Sequence, residues 1–142
     1  MSVFVDTGVF YAQHDRDTER HGDATAAMRA VATGVYGKPF TSEYVYDETL
    51  TLTLARTDYA AAARVGNRIR GHGDFPSVTE LLFVDRAVFD EAVAVFERDD
   101  DQRLSFTDAT TVALADAHDI DHILSFDDDF DGLVPRLDPG NA

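Results

Sequence analysis

The stretch Ile123-Leu124-Ser125-Phe126-Asp127-Asp128-Asp129-Phe130 is an apolar run that ends on three aspartates. A short apolar run bounded by polar residues reads as a buried strand. Three like charges at its end are either a solvated turn or part of a site that holds a cation. The pattern recurs: Val3-Phe4-Val5 ends on Asp6, and Leu81-Leu82-Phe83-Val84 ends on Asp85. The strand containing Ile123 is expected over His122 to Phe126, and Pro39-Phe40-Thr41-Ser42 is a further short one. Helical periodicity fills the intervals: through Val9 to Ala12, about Gly22 to Thr33, from an N-capping Ser42 to about Arg56, about Tyr59 to Arg70, about Ala87 to Arg98, and Ser105 to about His118. From about Gly132 onward the chain reads as a loop or a short edge segment. Short apolar strands alternating with helices predict an α/β fold with a parallel sheet.

The 142 residues fit one domain over 1–142, with a single core. No apolar run approaches the ~20 residues of a membrane span, and Met1 to Asp6 lacks the basic region that opens a signal peptide. There are no cysteines, so disulfides, thiolate metal sites and cysteine nucleophiles are excluded. These features suit a cytoplasmic protein. The formal charge is −15, from 27 acidic and 12 basic residues, with Lys38 the one lysine. Such a chain repels itself at low salt, whereas in molar salt the Debye length falls to ~3 Å and the repulsion is screened. The acidity therefore reads as a high-salt adaptation, and it does not argue against a nucleic-acid partner. The clusters Asp99-Asp100-Asp101 and Asp127-Asp128-Asp129 are too short to be low-complexity tails.

Four acids stand in contexts that invite a functional reading beside a plain one. Asp6 closes the first strand, at the sheet edge where open α/β folds bind ligands; it is equally a helix cap or turn residue. Glu48 lies, at 100° per residue, among Tyr44, Val45, Leu52 and Ala55, an apolar stripe on which a bare carboxylate is costly unless paired, protonated or bound to a cation. Asp108 is the fourth residue of Ser105-Phe106-Thr107-Asp108, a capping-box pattern, yet it shares a face with Val112 and Ala115. Asp127 ends the last strand. Asp129 has its parity along an extended chain, and Asp128 points the other way. Several carboxylates in one pocket cannot all ionise without a cation. Their hard oxygens suit Mg²⁺ or Mn²⁺, the equipment of metal-assisted phosphodiester cleavage.

Four motifs carry a resemblance: Val5-Asp6-Thr7-Gly8, Ser42-Glu43-Tyr44-Val45-Tyr46-Asp47-Glu48-Thr49-Leu50, Leu104-Ser105-Phe106-Thr107-Asp108-Ala109 and Ser125-Phe126-Asp127-Asp128-Asp129-Phe130. In this order, over almost the whole chain, they resemble the PIN-domain nucleases, and among them the VapC-like toxins of type II toxin–antitoxin systems. The resemblance implies a three-layer α/β/α PIN-like fold, with a parallel central sheet flanked by helices. It implies a Mg²⁺- or Mn²⁺-dependent endoribonuclease in which Asp6 and Asp108 hold the metal, Glu48 and Asp127 complete the site, and Asp129 assists. A metal-activated water then attacks the RNA phosphodiester. It further implies a homodimer inhibited by a small antitoxin protein. Thr7 matches a hydroxyl often found in the family, whereas Gly8 stands where asparagine or serine is usual.

The acid-free stretch Tyr59 to Gly73 carries Arg64 and Arg68 one helical turn apart, a candidate surface for RNA phosphates or an acidic partner segment. The alternatives are a housekeeping RNA-processing nuclease, or a PIN-like fold that binds a partner without catalysis. A haloacid-dehalogenase-type phosphatase would want an aspartate where Gly8 stands. A receiver domain would want a lysine after the last strand, and Lys38 is elsewhere. On the helix after Ser42, the apolar Tyr46, Leu50 and Leu54 are either core or dimer face.

Overall fold

The computed structural model describes residues 1–98 and 103–141; the cluster Asp99-Asp100-Asp101 lies outside the described residues. The elements are β1 (Ser2–Val5), α1 (Thr7–His14), α2 (His21–Ala32), β2 (Lys38–Ser42), α3 (Glu43–Arg56), α4 (Tyr59–Arg70), β3 (Glu80–Leu82), α5 (Arg86–Arg98), α6 (Phe106–Ala117), β4 (His122–Leu124) and β5 (Arg136–Leu137). One 3-10 turn covers Asp128–Phe130.

The strands form one parallel sheet in the order β3-β2-β1-β4-β5. Parallel neighbours need crossover helices, and right-handed crossovers fix their side. The connections β1 to β2 and β2 to β3 run one way along the sheet, so α1 to α4 cover one face. The connection β3 to β4 runs back, so α5 and α6 cover the other. The result is a three-layer α/β/α fold. Because the order reverses beside β1, a crevice opens at the carboxyl ends of β1 and β4, the switch point where such folds bind ligands.

A sheet covered on both faces needs apolar side chains on both sides of each strand. Val3, Phe4, Val5, Ile123 and Leu124 are accordingly fully buried. Pro39 sits within a central strand at a place that tolerates it. The Lys38 amide bonds toward β1, to the Met1 carbonyl, so the donor missing at Pro39 faces the other side, and β3 begins only opposite Phe40.

The sequence places most elements within a residue or two, and the differences have local causes. β3 starts at Glu80 and stops at Leu82. The Val84 amide then donates to Glu43 Oε2 (2.8 Å), not to a strand. β4 ends at Leu124, after which the chain turns at Phe126. The C-terminal segment adds a real, if two-residue, edge strand, pinned by the Ser125 amide on the Leu137 carbonyl (3.1 Å). No helix among the described residues is long and apolar enough to cross a membrane.

Candidate active site

Asp6 ends β1 and precedes α1. Its backbone is locked by an amide bond to the Leu124 carbonyl (3.1 Å), and it occupies the N-cap position of α1 without using its side chain as a cap. A capping aspartate normally spends its carboxylate on the helix amides. Here the carboxylate is held elsewhere: Ser125 Oγ donates to Asp6 Oδ2 (2.7 Å), while Oδ1 is buried with no partner. The same Ser125 Oγ accepts from the Asp127 amide (2.9 Å). Ser125 is 1% exposed, so one buried hydroxyl sets the first and last acids relative to each other.

Asp108 follows the capping-box prediction: Ser105 Oγ accepts from its amide (3.0 Å), and its Oδ2 accepts from the Ser105 amide (3.1 Å). One oxygen is thus committed to the helix end and the other is left for the cleft. Asp127 likewise uses Oδ1 to accept from the Asp129 amide (2.9 Å) at the start of the 3-10 turn.

These residues line one cleft of about 660 Å³. Asp6, Glu48, Asp108 and Asp127 all face it, from four separate elements. Arg20 and Arg103 stand at its rim, and the Arg20 guanidinium lies 4.7 Å from the centre of the Phe126 ring. Ser125 and the two arginines carried no functional weight in the sequence. A serine at the strand end, between Leu124 and Asp127, was the one signal that could have singled out Ser125.

Glu48 departs from its expected surroundings. The buried face of α3 is Val45, Thr49 and Thr53, not the stripe through Leu52 and Ala55. Thr49 and Thr53 face inward because their hydroxyls donate to the carbonyls four residues back (2.6 and 2.7 Å). Glu48 sits on the shoulder of that face, half-buried. The parity argument for the three aspartates also gives way, because residues 128–130 form a 3-10 turn and not an extended chain. Asp127 and Asp128 line the cleft; Asp129 does not. Carboxylate oxygens of all three still lie within 4.8 Å of one another. Arg64 and Arg68 line a separate depression at the other end of α1, beside Gln13 and His14. At Gly8 an added Cβ would meet only Phe126, at 3.9 Å, so the missing side chain leaves open room in the cleft.

Crowding shows in the protonation of the two deepest acids. Burial pushes Asp6 up to about 6, opposed chiefly by the Ser125 hydroxyl and helped by the charges of Glu48 and Asp127. Asp108 rises to about 7, through burial and then the charge of Asp6. Asp6 and Asp108 are only 6% and 7% exposed. An unpartnered buried carboxylate oxygen, surrounded by acids that disfavour each other's ionisation, fits a hard divalent cation.

The PIN domain family model matches residues 3–133. A VapC ribonuclease of Archaeoglobus fulgidus is 27% identical over 131 residues, 92% of this chain and 80% of that protein. Among solved structures, Mycobacterium tuberculosis VapC20, described as a sarcin-ricin loop cleaving toxin, superposes with a TM-score of 0.79 at 30% identity, over 93% of this chain and 96% of the other. A toxin–antitoxin complex from Klebsiella pneumoniae, at 15% identity, has a TM-score of 0.65 over 96% of this chain and 97% of the other; that likeness is one of fold.

Proposed function

The chain belongs to the PIN domain family, and from that premise we propose that it is a VapC-like toxin: an endoribonuclease that hydrolyses RNA phosphodiesters with a water activated by Mg²⁺ or Mn²⁺. The observation that carries this reading is the convergence of Asp6, Glu48, Asp108 and Asp127 on one cleft, with a buried oxygen of Asp6 left without a partner. A divalent ion bound there supplies a water of lowered pKa and offsets charge on the phosphate.

The chain's own groups have separable tasks. Asp6, through Oδ1, and Asp108, through the oxygen not used in its cap, would hold the ion. Ser125 fixes the Asp6 carboxylate and the start of the turn that carries Asp127. Glu48 and Asp127 face the same cleft and can take up the proton of an attacking water. Asp128 is a further carboxylate at the rim; Asp129 belongs to the same turn and acts through Asp127. Arg20, seated on the Phe126 ring, offers a fixed positive charge to a phosphate that four acids would otherwise repel.

The name of the A. fulgidus relative supports ribonuclease chemistry, and that of VapC20 makes a structured RNA loop the first substrate to try. A small antitoxin protein is the proposed inhibitor. A homodimer is the proposed assembly, working in the cytoplasm at high salt. Tyr46 and Leu50 pack on Gly66 of α4, where an added Cβ would lie within 3.3 Å of both, so the proposed face lies elsewhere. Among the exposed large apolar side chains, Phe83, Phe89 and Phe96 stand beside Met1, Val35 and Tyr59. A strict monomer at high concentration and high salt would remove the dimer from this reading.

The test is cleavage of a panel of RNAs, hairpins included, at high salt with Mg²⁺, Mn²⁺ or EDTA. Wild type should cut only with metal, and Asp6→Asn, Glu48→Gln and Asp108→Asn should fall to background while keeping their fold. Cutting that survives EDTA, or all three substitutions, would overturn the proposal.

A further inference from the structure

At the other end of α1 from the acidic cleft lies a second cleft, of about 520 Å³ and opposite character. Gln13, His14, Arg16, His21, Arg64 and Arg68 line it, and no carboxylate does, in a chain with 27 acids and 12 bases. Asp15 offsets part of its positive charge at His14. Burial and then the charges of Arg68 and Arg64 hold His14 below the ordinary histidine value, and burial with the Arg64 charge lowers Arg68. Neither Arg16 nor Arg64 forms an ion pair within the described residues. Arg68 is held in place, its guanidinium 5.0 Å from the centre of the Phe75 ring.

The chemistry of this lining selects its ligand. Three arginines without carboxylates call for anionic oxygens. The ribose-phosphate backbone of the proposed substrate offers such oxygens in series. Placement agrees: the eight residues of α1 separate Asp6 from the end of the helix by about 12 Å, a span of a few nucleotides. The connection from Asp15 to Arg20 joins the two clefts, with Arg16 facing one and Arg20 the other.

We propose that the cleft between α1, α2 and α4 binds the ribose-phosphate backbone of the RNA a few nucleotides from the scissile bond, with Arg16, Arg64 and Arg68 on phosphates. The inference rests on the ribonuclease reading for its substrate, but its test needs no cleavage. Binding of a fluorescein-labelled single-stranded RNA to the full chain is followed by anisotropy in EDTA over a potassium chloride series. Arg64 and Arg16 are exposed, so Arg64→Ala and Arg16→Ala should keep the fold, checked by circular dichroism. Each should weaken RNA binding severalfold and flatten the plot of log K against log salt by ~0.7. Arg86→Ala, which removes an arginine paired with Asp90 on α5, should leave affinity and slope at wild-type values.

Wild-type affinity and slope in both cleft variants would overturn the proposal, as would an equal loss in Arg86→Ala or a wild type that binds no RNA. So would Arg64-dependent capture of a polyglutamate peptide without RNA binding, which would make the cleft a protein-docking site. Arginine-dependent binding in a protein that never cuts would leave this site standing and remove the nuclease.

Discussion

Asp6 shows how a single residue can be destabilising and functional at once. Its carboxylate is buried, bonded on one oxygen to Ser125 and unpartnered on the other. The folded value of about 6 lies above the ordinary 3.8, so the folded state retains a proton that the unfolded chain releases. Stability of the metal-free protein therefore falls as pH rises from about 4 to about 6 on account of Asp6, and to about 7 on account of Asp108. At ~1.4 kcal/mol per pKa unit the Asp6 contribution is about 3 kcal/mol at most. In EDTA at pH 7.5, Asp6→Asn should melt above wild type, and the gap should close toward pH 4. Adding Mg²⁺ should raise wild type and leave the variant nearly unchanged. Thermal melts across pH check this. A metal-free variant that melts below wild type at pH 7.5 would make Asp6 a structural anchor instead.

At the scale of an element, the turn after β4 decides which aspartates matter. An extended chain would pair Asp127 with Asp129. The 3-10 turn instead sends the Asp129 amide to Asp127 Oδ1 and brings Asp128 to the cleft. Phe130, fully buried, plugs the end of the turn into the core. Asp128→Asn should therefore slow RNA cleavage more than Asp129→Asn does, and both less than Asp127→Asn. Initial rates under one set of metal and salt conditions rank the three. An Asp129→Asn loss larger than that of Asp128→Asn would restore the extended reading. The helix α3 makes a related point. Threonines that return their hydroxyls to the backbone can face the core, so apolar character alone misjudges which stripe is buried.

At the scale of the whole molecule, charge and topology act separately. The sheet order places the acidic cleft at the switch point between β1 and β4, whatever the surface charge. A formal charge of −15 adds a repulsion that salt screens and hydrogen bonds do not answer. The melting temperature should rise markedly from about 0.1 M to 2 M potassium chloride, with the Debye length shrinking from ~10 Å toward 3 Å or less. Differential scanning fluorimetry measures it. A flat response would leave the acidity without a role in high salt. The few exposed ion pairs, such as Lys38 with Glu80 at 3.3 Å, are too weak to change that outcome.

Much of this fold was legible in one dimension, because hydrophobic period and capping chemistry are local. Val3 to Val5, the helix from Tyr59 to Arg70 and the Ser105–Asp108 box follow from neighbours within four residues. So does the order in which the acids occur along the chain. Distance across the sheet is not local. That β1 lies beside β4 puts Ser125 between Asp6 and Asp127, 119 residues after the first, and no spacing in the sequence records that contact. The two-residue β5 exists only because β4 offers it an edge, and the turn at Asp128 exists because Phe130 finds a hole in the core. The basic cleft likewise needs three helices to meet. Sequence alone fixed which residues carry charge and which segments prefer helix or strand; packing decided which carboxylate oxygens end up buried without a partner, since only the assembled core removes their water.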